Sequence, residues 1–234
     1  MHYLLGIDEA GRWPWAWPIV AGWFLIETSL LWEVFSWLSW LTDSKLLDEK
    51  NRERICMDIS QFEKAGKCST RFALRDASEI DRLGIREANR QCMEEVIGWL
   101  IEHISSEDQI EIYIDGCDNY EFQIPDITYR FAKKKRKNSD REIPALSLLE
   151  AIRILTYVIA GDKSVPVISA ASVIAKVSRD RLMCEYSEKF PVYGFETHKG
   201  YGTKKHRDAL INYGITSIHR KSYEPIKRLI LWEW

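Results

Sequence analysis

The stretch Tyr3-Leu4-Leu5-Gly6-Ile7-Asp8-Glu9-Ala10-Gly11-Arg12 decides how this chain is read. Its apolar run predicts a buried strand, and that strand ends on two adjacent acids. The pattern recurs twice further on. Ile110-Glu111-Ile112-Tyr113-Ile114 alternates cleanly and stops at Asp115-Gly116, and Leu155-Thr156-Tyr157-Val158-Ile159 predicts a strand followed by Gly161-Asp162. One acid at a strand end is ordinarily a turn or cap residue. Four carboxylates on three strands are different, because neighbouring strands would bring them together and their repulsion would need cations to offset it. Carboxylate oxygens suit Mg²⁺ or Mn²⁺ rather than zinc, and none of the five histidines has metal-ligand spacing.

Working outward, 18–26 predicts a hairpin partner for the first strand, 69–74 a third strand and 127–131 a short one. Helical spacing covers 48–62, with apolar residues at Ile55, Ile59 and Phe62, and 81–104 predicts one long helix. Further helices are expected over 145–153 and over 169–189, where Ala170, Ala171, Ser172 and Ala175 are small enough to pack close to a sheet. Thr203 is a good N-cap for a helix over 204–213 that Gly214 ends. Strands alternating with helices imply an α/β fold with a mixed β-sheet flanked by helices and a small helical C-terminal region. The expected division is 1–189 and 190–234, with a basic insertion over about 120–145.

Composition narrows the class. No apolar run approaches the ~18 residues of a membrane span, and the acidic N-terminus is unlike a secretory signal. Five scattered cysteines without a C-x-x-C pair point to free thiols in a reducing, cytoplasmic setting. The net charge is −2, yet eight basic residues stand against three acids between Glu196 and Arg228, and Lys133-Lys134-Lys135-Arg136-Lys137 forms a second basic run. Such patches are compatible with phosphate binding, although a solvated face is the commoner reason for a charge run.

The blocks Gly6-Ile7-Asp8-Glu9-Ala10-Gly11-Arg12, Asp43-Ser44-Lys45-Leu46, Ile114-Asp115-Gly116 and Gly161-Asp162 occur in that order. They are followed by Ile168-Ser169-Ala170-Ala171-Ser172-Val173-Ile174-Ala175-Lys176-Val177-Ser178-Arg179-Asp180, His198-Lys199-Gly200-Tyr201-Gly202-Thr203 and His219-Arg220-Lys221-Ser222-Tyr223. Together these resemble the type 2 ribonuclease H family (ribonuclease HII) over nearly the whole chain. The resemblance implies a ribonuclease H-like fold. It implies four acids, Asp8, Glu9, Asp115 and Asp162, that hold two Mg²⁺ or Mn²⁺ ions for phosphodiester hydrolysis. It also implies RNA–DNA hybrids and ribonucleotide-containing duplex DNA as partners, cut on the 5′ side of a ribonucleotide to leave a 3′-hydroxyl and a 5′-phosphate. The turn Gly11-Arg12-Trp13 would sense the 2′-hydroxyl through backbone groups, the one feature separating RNA from DNA at a single site. Tyr201, freed by Gly200 and Gly202, would stack on the next sugar and set junction preference. Lys45, Ser172, Lys176 and Arg179 are candidate phosphate contacts, and a monomer is expected.

Trp13, Trp17 and Trp40 stand where the family has glycine, and Trp15 and Trp23 where it has small or aliphatic residues. Seven of the ten tryptophans fall in the first 40 residues. An indole at position 13 is expected to collide with the nucleotide the turn must touch. The favoured explanation is an ordinary enzyme whose tryptophans are sequence errors or substitutions. A remodelled turn, or an impaired relative that binds duplex without cutting, are the alternatives. A different nuclease on the same fold is a further rival, and it predicts cutting of all-DNA duplex.

Overall fold

The computed structural model describes residues 1–37, 47–105, 107–116, 120, 122 and 165–232, and the backbone of 129–133 and 153–158. Asp43, Lys45, Asp162, Trp40, most of the 133–137 basic run and all but the last residue of the helix expected over 145–153 lie outside the described residues, and that last residue, Arg153, opens a strand.

Six strands form one mixed sheet in the order β3-β2-β1-β4-β6-β5. These are β1 (His2–Ala10), β2 (Ile19–Glu27), β3 (Ser69–Arg75), β4 (Gln109–Asp115), β5 (Tyr129–Lys133) and β6 (Arg153–Val158). The β1–β2–β3 half is antiparallel. The β1–β4, β4–β6 and β5–β6 pairs are parallel. Asp8, Glu9 and Asp115 thus sit inside and at the ends of central strands, because β1 runs on through Asp8 and Glu9 as far as Ala10 and β4 ends at Asp115.

Alternation along β1 sets the two faces. Leu5 and Ile7 join Trp23, Ile112, Val96 and Met93 in a core against α4 (Ile85–Gly98). On the other face lies α5 (Pro166–Lys189), started by Pro166 at its first turn, and its Val167, Ala170 and Ile174 pack with Phe24, Ile26, Ile55 and Ile59. Gly6 and Gly22 make this approach possible. A Cβ on Gly6 would lie 2.0 Å from the Val167 carbonyl oxygen, and one on Gly22 would lie 2.5 Å from that of Ala171. Helix backbone therefore rests directly on strand backbone, as the run of small residues in α5 leads one to expect.

The segment expected as one helix over 81–104 is instead three pieces: α3 (Ala77–Leu83), α4, and a 3₁₀ turn at Trp99–Glu102. Gly84 adopts φ +80°, which no α-helix continues through. A capping box between Asp76 and Glu79 starts α3 earlier than the apolar period suggested. α1 (Leu31–Trp37) and α2 (Glu49–Lys64, capped by the Asp48 side chain) complete the N-terminal part.

The C-terminal helices α6 (Phe195–His198), α7 (Lys204–Tyr213) and α8 (Glu224–Trp232) gather around Tyr193, Phe195, Leu210 and Ile226. That cluster also contains Ala16 and Met183, so this region shares its core with the turn after β1 and with α5. Among the described residues no helix is long and apolar enough to cross a membrane.

Candidate active site

The β1–β4 register pairs Ile7 with Ile114, which sets Asp8 and Asp115 one step further along neighbouring strands. A cleft of about 240 Å³ opens there, lined by Asp8, Glu9, Asp115, Ser172 and Lys176, by Gly11, Arg12 and Trp13, and by Tyr201. Asp8 is 3% exposed. Burial pushes its carboxyl well above the usual carboxylate range, and the charges of Glu9 and Asp115 push it further. A hydrogen bond with the Ser172 side chain and another from the Glu9 N–H (2.7 Å) act in the opposite direction.

Among the described residues, no three His, Cys, Asp or Glu side chains stand in a ready-made coordination set. The donor chemistry nevertheless fits a hard divalent cation. The three acids lining the cleft offer oxygen only, and their mutual repulsion is what a bound cation relieves.

The residues beside the acids come from two loops. Gly11 (φ +96°) turns the chain out of β1, and a Cβ there would lie 2.3 Å from Arg179 Nε. Arg12 reaches back to Glu9 (Nη1 to Oε1, 3.4 Å) and to the Tyr120 hydroxyl (3.3 Å). Trp13 is 76% exposed on the rim. Trp17 has φ +67°, a left-handed backbone that tryptophan rarely adopts, and its indole Nε1 is buried without a partner. The second loop carries Lys199 and Gly200 at φ +49° and +81°, then Tyr201 at 41% exposure. Trp15 N–H donates to the Gly200 carbonyl (2.9 Å), tying the loops together.

Two arginines hold this pair of loops. Arg220, fully buried, donates to the carbonyls of Gly11 (2.6 Å), Arg12 (3.1 Å) and Trp17 (2.6 Å). Arg179, expected as a phosphate contact, is likewise fully buried. It donates to the carbonyls of Pro18 (3.1 Å), Ala16 (3.3 Å) and Lys199 (3.0 Å), and it is not among the residues lining the cleft. Lys176 does line the cleft, with its Nζ 2.7 Å from Asp180, and burial lowers its pKa. Ser172 faces Asp8 rather than open solvent. The clamping roles of Arg179 and Arg220 were missed in the sequence, where Arg179 counts as a candidate phosphate contact and Arg220 as one charge of a basic run. Lys199 is 7% exposed too, so the basic C-terminal run presents fewer charges than its composition suggests.

This sheet order, with acids on adjacent central strands, defines a nuclease-type scaffold of the ribonuclease H class. Solved structures with the same fold include the ribonuclease HII of Archaeoglobus fulgidus in its complex with PCNA (TM-score 0.63, 23% identity, 94% of this chain and 95% of that one). Ribonuclease H2 of Pyrococcus horikoshii is similar (0.62, 21%, covering 97% and 96%), as is Bst-RNase HIII in complex with Mn²⁺ (0.64, 15%, covering 98% and 70%). The Ribonuclease HII family profile matches residues 5–226. Ribonuclease HII of Coxiella burnetii is 36% identical over 232 residues, covering 98% of this chain and 92% of that protein. Its counterpart in Bacillus licheniformis is 36% identical over 226 residues, covering 97% and 71%. The chain belongs to the ribonuclease HII family, and it is a ribonuclease H enzyme.

Proposed function

We propose that this protein hydrolyses the RNA strand of RNA–DNA hybrids and cuts 5′ of single ribonucleotides in duplex DNA, with Asp8, Glu9, Asp115 and Asp162 holding two Mg²⁺ or Mn²⁺ ions. The observation that carries this is the cleft itself, where clustered carboxylates meet a positive-φ glycine turn on one side and an exposed tyrosine on the other. The bound ions would supply an activated water and a counter-charge for the leaving oxygen. Ser172 and the Glu9 N–H hold the Asp8 carboxylate in one orientation. Arg12 is anchored by Glu9 and Tyr120, so its backbone is fixed where a 2′-hydroxyl would be read. Lys176, and Lys45 by the family resemblance, are the cationic candidates for the flanking phosphates. Tyr201 offers a ring to the neighbouring sugar. The binding of Mn²⁺ by Bst-RNase HIII supports the choice of metal. We keep 1–189 as the catalytic unit and 190–234 as its substrate-binding extension, with a monomer as the working state.

The same reading takes positions 13 and 17 as glycine in the working enzyme. The left-handed backbone and orphaned indole nitrogen at Trp17 support this, as does a composition of ten tryptophans against only twelve glycines. The test is cleavage of a DNA duplex containing one ribonucleotide by this chain and by a Trp13→Gly, Trp17→Gly version, alongside the intact mass of the protein isolated from its source cells. Cleavage 5′ of the ribonucleotide is expected, faster in the glycine version, with a native mass lower by one indole side chain per replaced position. Folding and duplex binding without cleavage by either version would refute the catalytic reading.

A further inference from the structure

Three histidines lie buried beneath the loop that carries Tyr201. His198, His206 and His219 are 7%, 0% and 1% exposed, and the rings of His198 and His206 stack at 4.6 Å. The hydrogen bonds around them permit one arrangement of protons. A backbone N–H can only donate, so the Thr216 N–H (2.9 Å) makes His219 Nδ1 an acceptor. A neutral His219 then carries its proton on Nε2, which faces His206 Nε2 at 3.1 Å. His206 Nε2 must accept, which leaves the His206 proton on Nδ1, and Nδ1 lies 3.0 Å from the Tyr201 carbonyl oxygen. His198 binds the residue before Tyr201, with the opposite polarity. Its Nδ1 accepts from the Gly200 N–H (3.2 Å), and its Nε2–H donates to the Tyr193 carbonyl (2.8 Å). The Thr203 hydroxyl caps α7 by accepting from the His206 N–H (3.3 Å), which fixes where the His206 ring begins.

We propose that His206 and His219 are positioning residues: the directional chain from the Thr216 N–H through both rings to the Tyr201 carbonyl sets the pose in which Tyr201 meets the substrate, and with it the preference for an isolated ribonucleotide. The role of Tyr201 in that preference rests on the function proposed above, whereas the chain of hydrogen bonds does not. A merely structural histidine core would tolerate any neutral tautomer that keeps the rings packed. This one ends on the backbone of the presented residue and works in one direction only.

Two substitutions separate positioning from packing. An asparagine amide can take the place of His206 Nδ1–H, and a glutamine amide can take that of Nε2. His206→Asn is therefore expected to keep the donor to Tyr201, and His206→Gln to lose it, at comparable cost in melting temperature. The readout is the ratio of kcat/KM for a single-ribonucleotide duplex to that for an all-RNA hybrid, with Tyr201→Ala as reference. His206→Gln should lose about tenfold of that ratio, towards Tyr201→Ala, while His206→Asn retains it. Equal ratios in the two His206 variants would overturn the positioning role. ¹⁵N-histidine NMR of the unmodified protein tests the chain without any substrate, the expected tautomers being Nδ1–H for His206 and Nε2–H for His219. An Nε2–H tautomer at His206 would overturn the proposal outright. The expected tautomers with an unchanged ratio in Tyr201→Ala would instead refute the assignment of Tyr201 to specificity, and with it the functional half of the proposal.

Discussion

The turn from Gly11 to Pro18 and the loop from Lys199 to Thr203 line one cleft and make the same demand on the backbone, yet they meet it with opposite residues. Gly200 answers a φ of +81° with the residue suited to it, and its N–H is bound by His198. Trp17 answers φ +67° with a bulky side chain and leaves an indole N–H buried without a partner. The loop has its own exception in Lys199 at φ +49°, whose carbonyl Arg179 holds, but only the turn buries an unpaired donor, so the turn depends more heavily on support from elsewhere. Besides Arg179 on the Ala16 and Pro18 carbonyls, that support is chiefly Arg220, which reaches the turn from more than 200 residues away in sequence, with Tyr223 adding a bond of 2.6 Å to the Arg12 carbonyl.

The sharpest way to break the comparison is therefore Arg220→Met. It removes the donors to three buried or half-buried carbonyls, and each loss costs ~1–3 kcal/mol, so the total should be on the order of 3 kcal/mol or more. Urea unfolding measures it. The turn should also lose its shape before the rest of the fold does, so cleavage should fall further than stability accounts for. A loss below ~1 kcal/mol would show that the turn stands without its clamp.

Next in size is a matched pair at the two positive-φ positions. Gly200→Ala puts a Cβ 2.8 Å from the Ala16 carbonyl oxygen and asks alanine for a left-handed backbone. About 2–3 kcal/mol of destabilisation is expected. Trp17→Gly should behave differently. Deleting a core tryptophan ordinarily costs ~3–5 kcal/mol, and Trp17 is half-buried with its ring 3.8 Å from that of Tyr186. Relief of the left-handed backbone returns ~1–2 kcal/mol, and removal of the unpaired N–H a similar amount. Thermal melts should accordingly place Trp17→Gly within about 1 kcal/mol of the parent. A full core-aromatic loss would mean that the turn is built around the indole, and the glycine reading of position 17 would fall.

How much of this was legible from the sequence follows the same division. Strands ending in acids could be read because apolar runs and period-2 alternation are local signals, and the Thr203 cap and Gly214 stop over α7 are local too. The break at Gly84 was not, since a glycine inside a helical period is compatible with continuing or ending until its φ is known. Arg179, Arg220 and the histidine cluster were illegible for a stronger reason. A charged or titratable residue is taken as surface unless its partners are known, and here the partners are carbonyls contributed by segments as far apart as Ala16 and Lys199. The acids of the cleft lay in between. Their strand ends were visible, and only the β1–β4 register made Asp8 and Asp115 neighbours.

The smallest expected effect, a shallow dependence on pH, distinguishes the two regions by sign. Burial, reinforced by the neighbouring histidines, holds His206 at about 4 and His219 at about 3, against 6.5 for a free imidazole. Below pH 6.5 the unfolded chain takes up protons that the folded loop refuses. The stability these groups contribute is thus complete above 6.5 and is lost as pH falls towards 4 and 3. Asp8 runs the other way. Its pKa is raised in the fold, so without metal its carboxylate opposes folding at neutral pH, and that opposition fades as pH falls through its folded value. Between pH 7.5 and 6.5 the histidine term should amount to about 0.7 kcal/mol for the two groups together. It should vanish in a His206→Asn, His219→Asn double variant, whereas the opposing term should vanish on adding Mg²⁺. Melting temperatures from pH 7.5 down to 4, with and without metal, read both, because the Asp8 term changes only between its unfolded and its raised folded value. If added Mg²⁺ leaves the pH dependence unchanged, the repulsion that raises Asp8 is not what a bound cation relieves.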